Sequence, residues 1–202
     1  MNETNFRYYI INKPYNMVSQ FVSSHSVGLL GDLDYKFPDG IHAVGRLDNH
    51  SEGLLILTTN KKITRLLFLS DTPHKRTYLV QVNNVLSPES LHLLQTGVTI
   101  RVKDGKDYTT PACRVIIVQE PEKIYPCATT LSAYGPHTWL LITLTEGKFH
   151  QVRKMMGAIR HRCKRLIRIS IEDLTLGELK PGAVKEIEEN IFFELLKINT
   201  TQ

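Results

Sequence analysis

The sequence predicts an α+β domain built on a largely antiparallel sheet. Short runs rich in β-branched and aromatic residues recur along the chain, bounded by Pro, Gly, Asn and Asp. Helical periodicity appears only in separate stretches, without the strand–helix alternation that builds a doubly wound parallel sheet. The 202 residues, 42% hydrophobic and 22% charged, suit one globular domain over 1–202, or two tightly joined lobes, with a proper core. No internal repeat, low-complexity segment or linker interrupts them.

Tyr8-Tyr9-Ile10-Ile11 reads as a strand that ends at Asn12-Lys13-Pro14-Tyr15, where Pro14 biases Lys13 away from helix. Residues 23–39, with Gly, Ser, Pro and Asp, read as loop. Leu54-Leu55-Ile56-Leu57 is an unbroken aliphatic run, the mark of a fully buried strand. Asn60 can cap a short helix with Ile63, Leu66 and Leu67 on one face, stopped by Asp71-Thr72-Pro73. Thr77–Val82 is another strand. Ser87-Pro88-Glu89 opens a helix with a cap residue, a first-turn proline and an acid, and Gly97 closes it. Val98–Ile100, Cys113–Val118 and Trp139–Leu144 are further strands, and residues 104–107 form a turn.

From about His150 the pattern turns helical. Val152, Met155, Met156 and Ile159 share an apolar face, and His150, Arg153, Lys154, Gly157 and His161 share the opposite one. Ile167, Ile169 and Ile171 then alternate with Arg168, Ser170 and Glu172, as in a half-buried strand. Pro181-Gly182 turns the chain. A last amphipathic helix carries Ile187, Ile191, Phe192, Leu195 and Leu196.

The formal net charge is +5, and eight Lys and Arg residues fall between Lys148 and Arg168 with no Asp or Glu among them. Removing those eight leaves the rest of the chain at −3. A mildly acidic body with one basic band points to a polyanionic partner, nucleic acid before others; the plain alternative is a solvated surface. Cys113, Cys127 and Cys163 are odd in number and far apart, which argues against a zinc site or a disulfide framework and for a reducing cytoplasm. No apolar run approaches the ~18 residues of a membrane span, and Met1–Arg7 lacks the regions of a signal peptide.

The most informative stretch is Gly45-Arg46-Leu47-Asp48-Asn49-His50-Ser51-Glu52-Gly53. It is a polar segment with a glycine at each end, set against the buried run that follows. Glycine there permits positive φ and close approach of another backbone. A loop braced by a buried strand is a common mount for functional groups, and Asp48 is the candidate; an Asp in such a loop can also be a turn former or a cap. Gly-Arg-Leu-Asp, two variable residues, then Ser-Glu-Gly-Leu-Leu resembles the signature of the RNA pseudouridine synthases, in the branch acting on single sites in ribosomal RNA.

Three further segments carry the same resemblance in order. They are Arg76-Thr77-Tyr78, then Glu146-Gly147-Lys148 with Gln151–Met155, then Leu174–Gly177 with Leu179–Gly182. The opening through Tyr8–Gln20 fits as well. The resemblance implies a bent, mostly antiparallel mixed sheet in two lobes around a central active cleft. It implies that Asp48 is the catalytic nucleophile, that Tyr78 stacks on the target base and that Arg153 pairs with Asp48. Arg76 stands where that family usually has Lys, which keeps the charge but alters the contacts. Members of the branch often carry an RNA-binding S4 module before this point; with seven residues ahead of Tyr8, none is expected here. His50 departs from the Asp or Asn often found there and is given no role.

Arg46, Arg76, Lys148, Gln151, Lys154 and Arg160 are the expected RNA contacts. Isomerising uridine breaks N1–C1′ and forms C5–C1′, with nothing oxidised and nothing lost, so neither cofactor nor metal is expected. A carboxylate in a closing site is driven toward its neutral form by desolvation. A guanidinium beside it opposes that shift and fixes its oxygens. Arg153 has the alternative of a plain phosphate contact, and Tyr78 that of a core tyrosine on an alternating strand. A non-catalytic RNA-binding or ribosome-assembly factor would share the basic band but would not need the Asp48, Tyr78 and Arg153 set. An aspartate hydrolase would need a second acid or base that no motif supplies. Ribosomal RNA, from the large subunit, is the expected partner, and a monomer the default state.

Overall fold

In a computed structural model the protein is described at residues 6–68, 72–128 and 135–198. The chain runs β1 (Tyr8–Lys13), β2 (His42–Val44), β3 (Glu52–Thr58), α1 (Ile63–Phe68), β4 (Arg76–Asn83), α2 (Pro88–Thr96), β5 (Thr99–Arg101) and β6 (Asp107–Thr109). It continues through β7 (Arg114–Val118), β8 (His137–Leu144), α3 (Gln151–Ala158), β9 (Cys163–Ile171), β10 (Leu174–Thr175), β11 (Val184–Ile187) and α4 (Glu189–Leu196). The architecture is α+β with mostly antiparallel pairing, as the sequence predicts. Two compact units divide the chain: one up to His74 and again from Arg168, the other from Lys75 to Ile167.

In the first unit β1 lies between β11 and β3, antiparallel to both, with Tyr8 opposite Ile187 and Lys13 opposite Gly53. β2 also pairs with β3, Val44 facing Ile56. All seven residues of β3 are buried, which is why it reads as an unbroken apolar run and not as alternation. The Tyr8 ring packs on Phe192 of α4 at 4.5 Å between centroids. Its hydroxyl accepts from Asn60 Nδ2 at 3.0 Å. Asn60 in turn accepts from the Lys62 N–H at 3.1 Å, a side-chain turn that leads into α1. The expected stop at Asp71 lies outside the described residues.

The last helix differs from the sequence reading. Ile187 ends strand β11 instead of entering α4, and Ile191 is 43% exposed. Val184–Ile187 is four residues long, shorter than a strand pattern needs to stand out from a helical one.

In the second unit β8 lies between β4 and β7, again antiparallel, with Ile142 facing both Tyr78 and Val115. Ser87 Oγ accepts from the Ser90 N–H at 3.2 Å at the start of α2, and Gly97 ends that helix with φ 120°. Helix α2 packs on β7 and α3 on β5. Val152, Met155, Met156 and Ile159 are all buried in this unit's core, with Val80, Leu140 and Ile142. The predicted apolar face of α3 is therefore the face it buries. Strand β6 went unforeseen: three residues after a turn are too few to show a period.

β9 begins at Cys163, four residues ahead of the predicted alternation, and Arg165, Leu166, Ile167 and Arg168 are all buried. A strand covered on both faces has no solvent side for its arginines. They hydrogen-bond to carbonyls instead: Arg165 Nη1 donates to Cys127 O and Arg168 Nε to Leu54 O, both at 2.8 Å. The basic band is thus not one surface, since two of its eight cations are internal.

Gly53 has φ +99°, and a Cβ built there would overlap the Arg168 carbonyl oxygen and sit 2.8 Å from its nitrogen. Backbone cannot yield as a side-chain end can. Gly53→Ala is expected to destabilise the protein by well over ~1 kcal/mol, read as a lower urea midpoint. A midpoint equal to the parent's would show that the strand can shift to admit the methyl group.

Candidate active site

Asp48 lies on the loop between β2 and β3, partly buried, with Leu47 buried and Arg46 and His50 exposed. The loop is a turn closed by the Ser51 N–H donating to Asp48 O at 3.0 Å. It is held by the segment that follows β1. Ser19 Oγ donates to Leu47 O at 3.0 Å and accepts from the Leu47 N–H at 2.9 Å. Asn49 Nδ2 donates to Asn16 Oδ1 at 3.2 Å. Tyr15 stacks on His50, with centroids 5.2 Å apart.

Beneath these contacts sits Lys13, with no exposed surface. Its ammonium donates to Met17 O at 2.6 Å, Pro14 O at 2.8 Å and Asn49 O at 3.4 Å. Three donors on one nitrogen meet three carbonyls, two in its own turn and one in the Asp48 loop. Burial pulls its pKa down to about 8, opposed by the charges of Glu52 and Asp48 and reinforced by Arg168. Asp48, Glu52, Lys13 and Arg168 therefore form one electrostatic group in the first unit. Arg168 Nη2 and Asn49 Oδ1 are buried polar atoms without a hydrogen-bond partner.

The second unit holds the other expected residues. Tyr78 on β4 is half-buried and packs against the core. Arg76, at the start of β4, is buried, and its Nη1 lies 3.7 Å from where a Cβ on Gly147 would stand. Gln151, first residue of α3, is also buried. Its Nε2 donates to Glu146 Oε1 at 2.6 Å and its Oε1 accepts the Lys148 N–H at 2.8 Å. Tyr108 OH donates to the other Glu146 oxygen at 2.5 Å. Gln151 thus braces the segment at 146–148 and Arg76 lies against it, while Lys148 and Arg160 are exposed and Lys154 partly so. Arg153 is partly buried and its charge reaches Cys163, opposing the burial that pushes that thiol up to about 11. His161, expected on the polar face of α3, lies beyond the helix and is buried, its Nδ1 donating to Asn83 O at 2.7 Å.

Lys13 and Arg168 are the groups that sequence reasoning missed. Lys13 read as part of a turn and Arg168 as the polar side of a strand. The pairing of Lys13 with Gly53 across β1 and β3 is what puts the lysine under the loop. Among the described residues no cluster of His, Cys, Asp or Glu could hold a metal ion, and no helix is long and apolar enough to cross a membrane.

Comparison with known proteins bears on this arrangement. The sequence profile described as RNA pseudouridylate synthase matches residues 7–158. A Vibrio parahaemolyticus protein named ribosomal large subunit pseudouridine synthase E is 38% identical over 182 residues, spanning 89% of this chain and 73% of that one. A protein of the same name from Xanthomonas axonopodis pv. citri is 34% identical over 176 residues, 85% and 89% of the two chains. Among solved structures, a pseudouridylate synthase crystal structure superposes with a TM-score of 0.74 over 95% of this chain and 74% of that one, at 22% identity. That likeness shows the pseudouridine synthase fold. Fold and matched segments together define an RNA-modifying isomerase. The chain belongs to the RNA pseudouridylate synthase family, and is an enzyme that isomerises uridine to pseudouridine.

The buried lysine has a pH signature. The folded ammonium loses its proton near pH 8 and an ordinary lysine at 10.5. Between those values the unfolded chain holds more protons, so this residue's contribution to stability rises as pH climbs through that window. Lys13→Met removes the effect. Urea unfolding from pH 7.5 to 10.5 should show the difference between parent and variant growing in the parent's favour; a flat difference would mean that Lys13 keeps an ordinary pKa.

Proposed function

We propose that this enzyme acts on one uridine of ribosomal RNA, in the large-subunit (23S) RNA, with Asp48 as its nucleophile. The observation that carries the reading is the mount of Asp48. Its loop is tied to the 13–19 segment by a buried ammonium, a doubly bonded serine, an Asn–Asn bond and a ring stack. A plain surface turn has no need of four independent restraints, whereas a reacting carboxylate must be held in place. The substrate assignment is supported by the names of the relatives.

Bound uridine gives up its N1–C1′ bond, the uracil turns, C5 bonds to C1′, the C5 proton passes to solvent and N1 takes up a proton in its place. Asp48 supplies the carboxylate that acts on the sugar or the base. Tyr78, half-buried, offers a face to the detached uracil, a stack worth ~1–3 kcal/mol. Arg153 keeps the carboxylate ionised as RNA displaces water. Drawing the uridine out of its stack costs a few kcal/mol, offset by phosphate contacts from the exposed cations Arg46, Lys148 and Arg160 and from Lys154. Arg76 and Gln151 act indirectly, by shaping the 146–148 segment. The reading needs no cofactor or metal and takes residues 1–202 as one catalytic domain, a monomer working in the cytoplasm.

Asp48→Asn should form no detectable pseudouridine in deproteinised ribosomal RNA, mapped by chemical modification and primer extension, while binding that RNA as the parent does. Turnover at the parent rate would remove Asp48 from the chemistry. Arg153→Lys is expected to cut kcat by roughly 10²-fold with little change in KM. Equal losses in kcat and affinity would make Arg153 a phosphate ligand.

A further inference from the structure

Phe149, just before α3, is 68% exposed. No other large apolar side chain among the described residues 140–160 is exposed in this way. Its neighbour His150 has φ 56° and ψ 29°, in the left-handed region that few non-glycine residues enter. The result is a face-to-face pair, with Phe149 and His150 centroids 3.8 Å apart and planes 19° from parallel. Consecutive side chains of an extended chain point to opposite sides; here the backbone folds the imidazole back onto one face of the phenyl ring.

The cation placed against this stack is a lysine. Lys154 Nζ lies 5.3 Å from the Phe149 centroid. Lys148, next in the chain, is exposed, its Nζ 4.8 Å over the Tyr108 ring. The carboxylate of this segment, Glu146, already accepts from Tyr108 and Gln151. An exposed aromatic ring backed by a second ring, with one ammonium against it and another on the adjoining residue over Tyr108, suits a base with its phosphates. A protein partner would need a broader apolar patch.

We propose that Phe149 is a stacking platform for an unpaired base of the bound RNA, with Lys148 and Lys154 on the flanking phosphates. The inference rests on RNA as the substrate and adds a subsite to it. Stacking holds any base by its π-face, so this subsite orders single-stranded RNA without reading its sequence. Phe149 touches RNA but none of the reacting atoms.

The test uses the full chain with an oligouridylate dodecamer and with deproteinised ribosomal RNA. Phe149→Ala should weaken binding about tenfold, as expected of one lost base stack, with an unchanged slope against log salt because no charge is lost. Lys154→Gln should lower that slope by about one. Phe149→Trp should keep the affinity, and its indole emission should be quenched by either RNA; Trp139 is buried and gives a steady background. Phe149→Ala binding within twofold of the parent, or indole emission indifferent to RNA, would overturn the proposal. These readouts need no turnover. Conversion of ribosomal RNA by Phe149→Ala at unchanged KM removes the platform and leaves the reaction standing. Quenching without any conversion by the parent removes the reaction and leaves the platform.

Discussion

A single buried ammonium organises the part of this protein that bears Asp48. Lys13 ends β1 opposite Gly53, the point where β3 leaves the Asp48 loop. From there its nitrogen reaches carbonyls on both segments, Pro14 and Met17 on one side and Asn49 on the other. Burying a charge is costly unless its hydrogen bonds are met and opposite charge is near. Lys13 has both, in the three carbonyls and in the fields of Glu52 and Asp48, which offset part of a burial cost that still lowers its pKa to about 8. A hydrocarbon side chain could fill the same space but would leave those carbonyls unsatisfied. The carboxylate thus belongs to a loop whose shape depends on a charge 36 residues upstream of Asn49 in the sequence.

That dependence explains why the opening segment and the central motif occur together. Residues 15, 16 and 19 meet residues 50, 49 and 47 in turn, through a ring stack, an amide pair and a serine bonded twice to one residue. Gly53 has its own reason: the backbone of Arg168 comes too close for any side chain. Arg168, entering from the other end of the sequence, then donates to Leu54 O and adds its charge to the group around Lys13. Two stretches far apart in the chain, residues 13–19 and Arg168, converge on the loop and the start of β3, and each contributes through particular atoms.

Much of this was legible in the residues, for identifiable reasons. β3 announced itself because it is buried along its whole length, α2 because Ser87, Pro88 and Gly97 mark its ends, and the inner face of α3 because Val152, Met155, Met156 and Ile159 keep one period. Short elements such as β6 and β11 did not, since three or four residues carry no period. The burial of Arg165 and Arg168 was hidden for a different reason. A count of charges cannot tell a solvated arginine from one bonded to carbonyls inside a sheet. Lys13 was hidden likewise, because only strand register sets it beneath the loop. The motif around Asp48 could be recognised by its wording, but the restraints that hold it could not.

If a carboxylate fixed at position 48 carries the isomerisation, its placement matters as much as its charge. Asp48→Glu keeps the charge and moves it by one methylene. Forming the C5–C1′ bond expels the hydrogen on C5, so ribosomal RNA labelled with tritium at uridine C5 reports each event as tritium released to water. Single-turnover release by Asp48→Glu should fall by ~10²-fold or more relative to the parent, the penalty of a misplaced reacting group, with RNA binding retained. Release at the parent rate would contradict the account, because a carboxylate that tolerates such a shift is not the one the loop was built to hold.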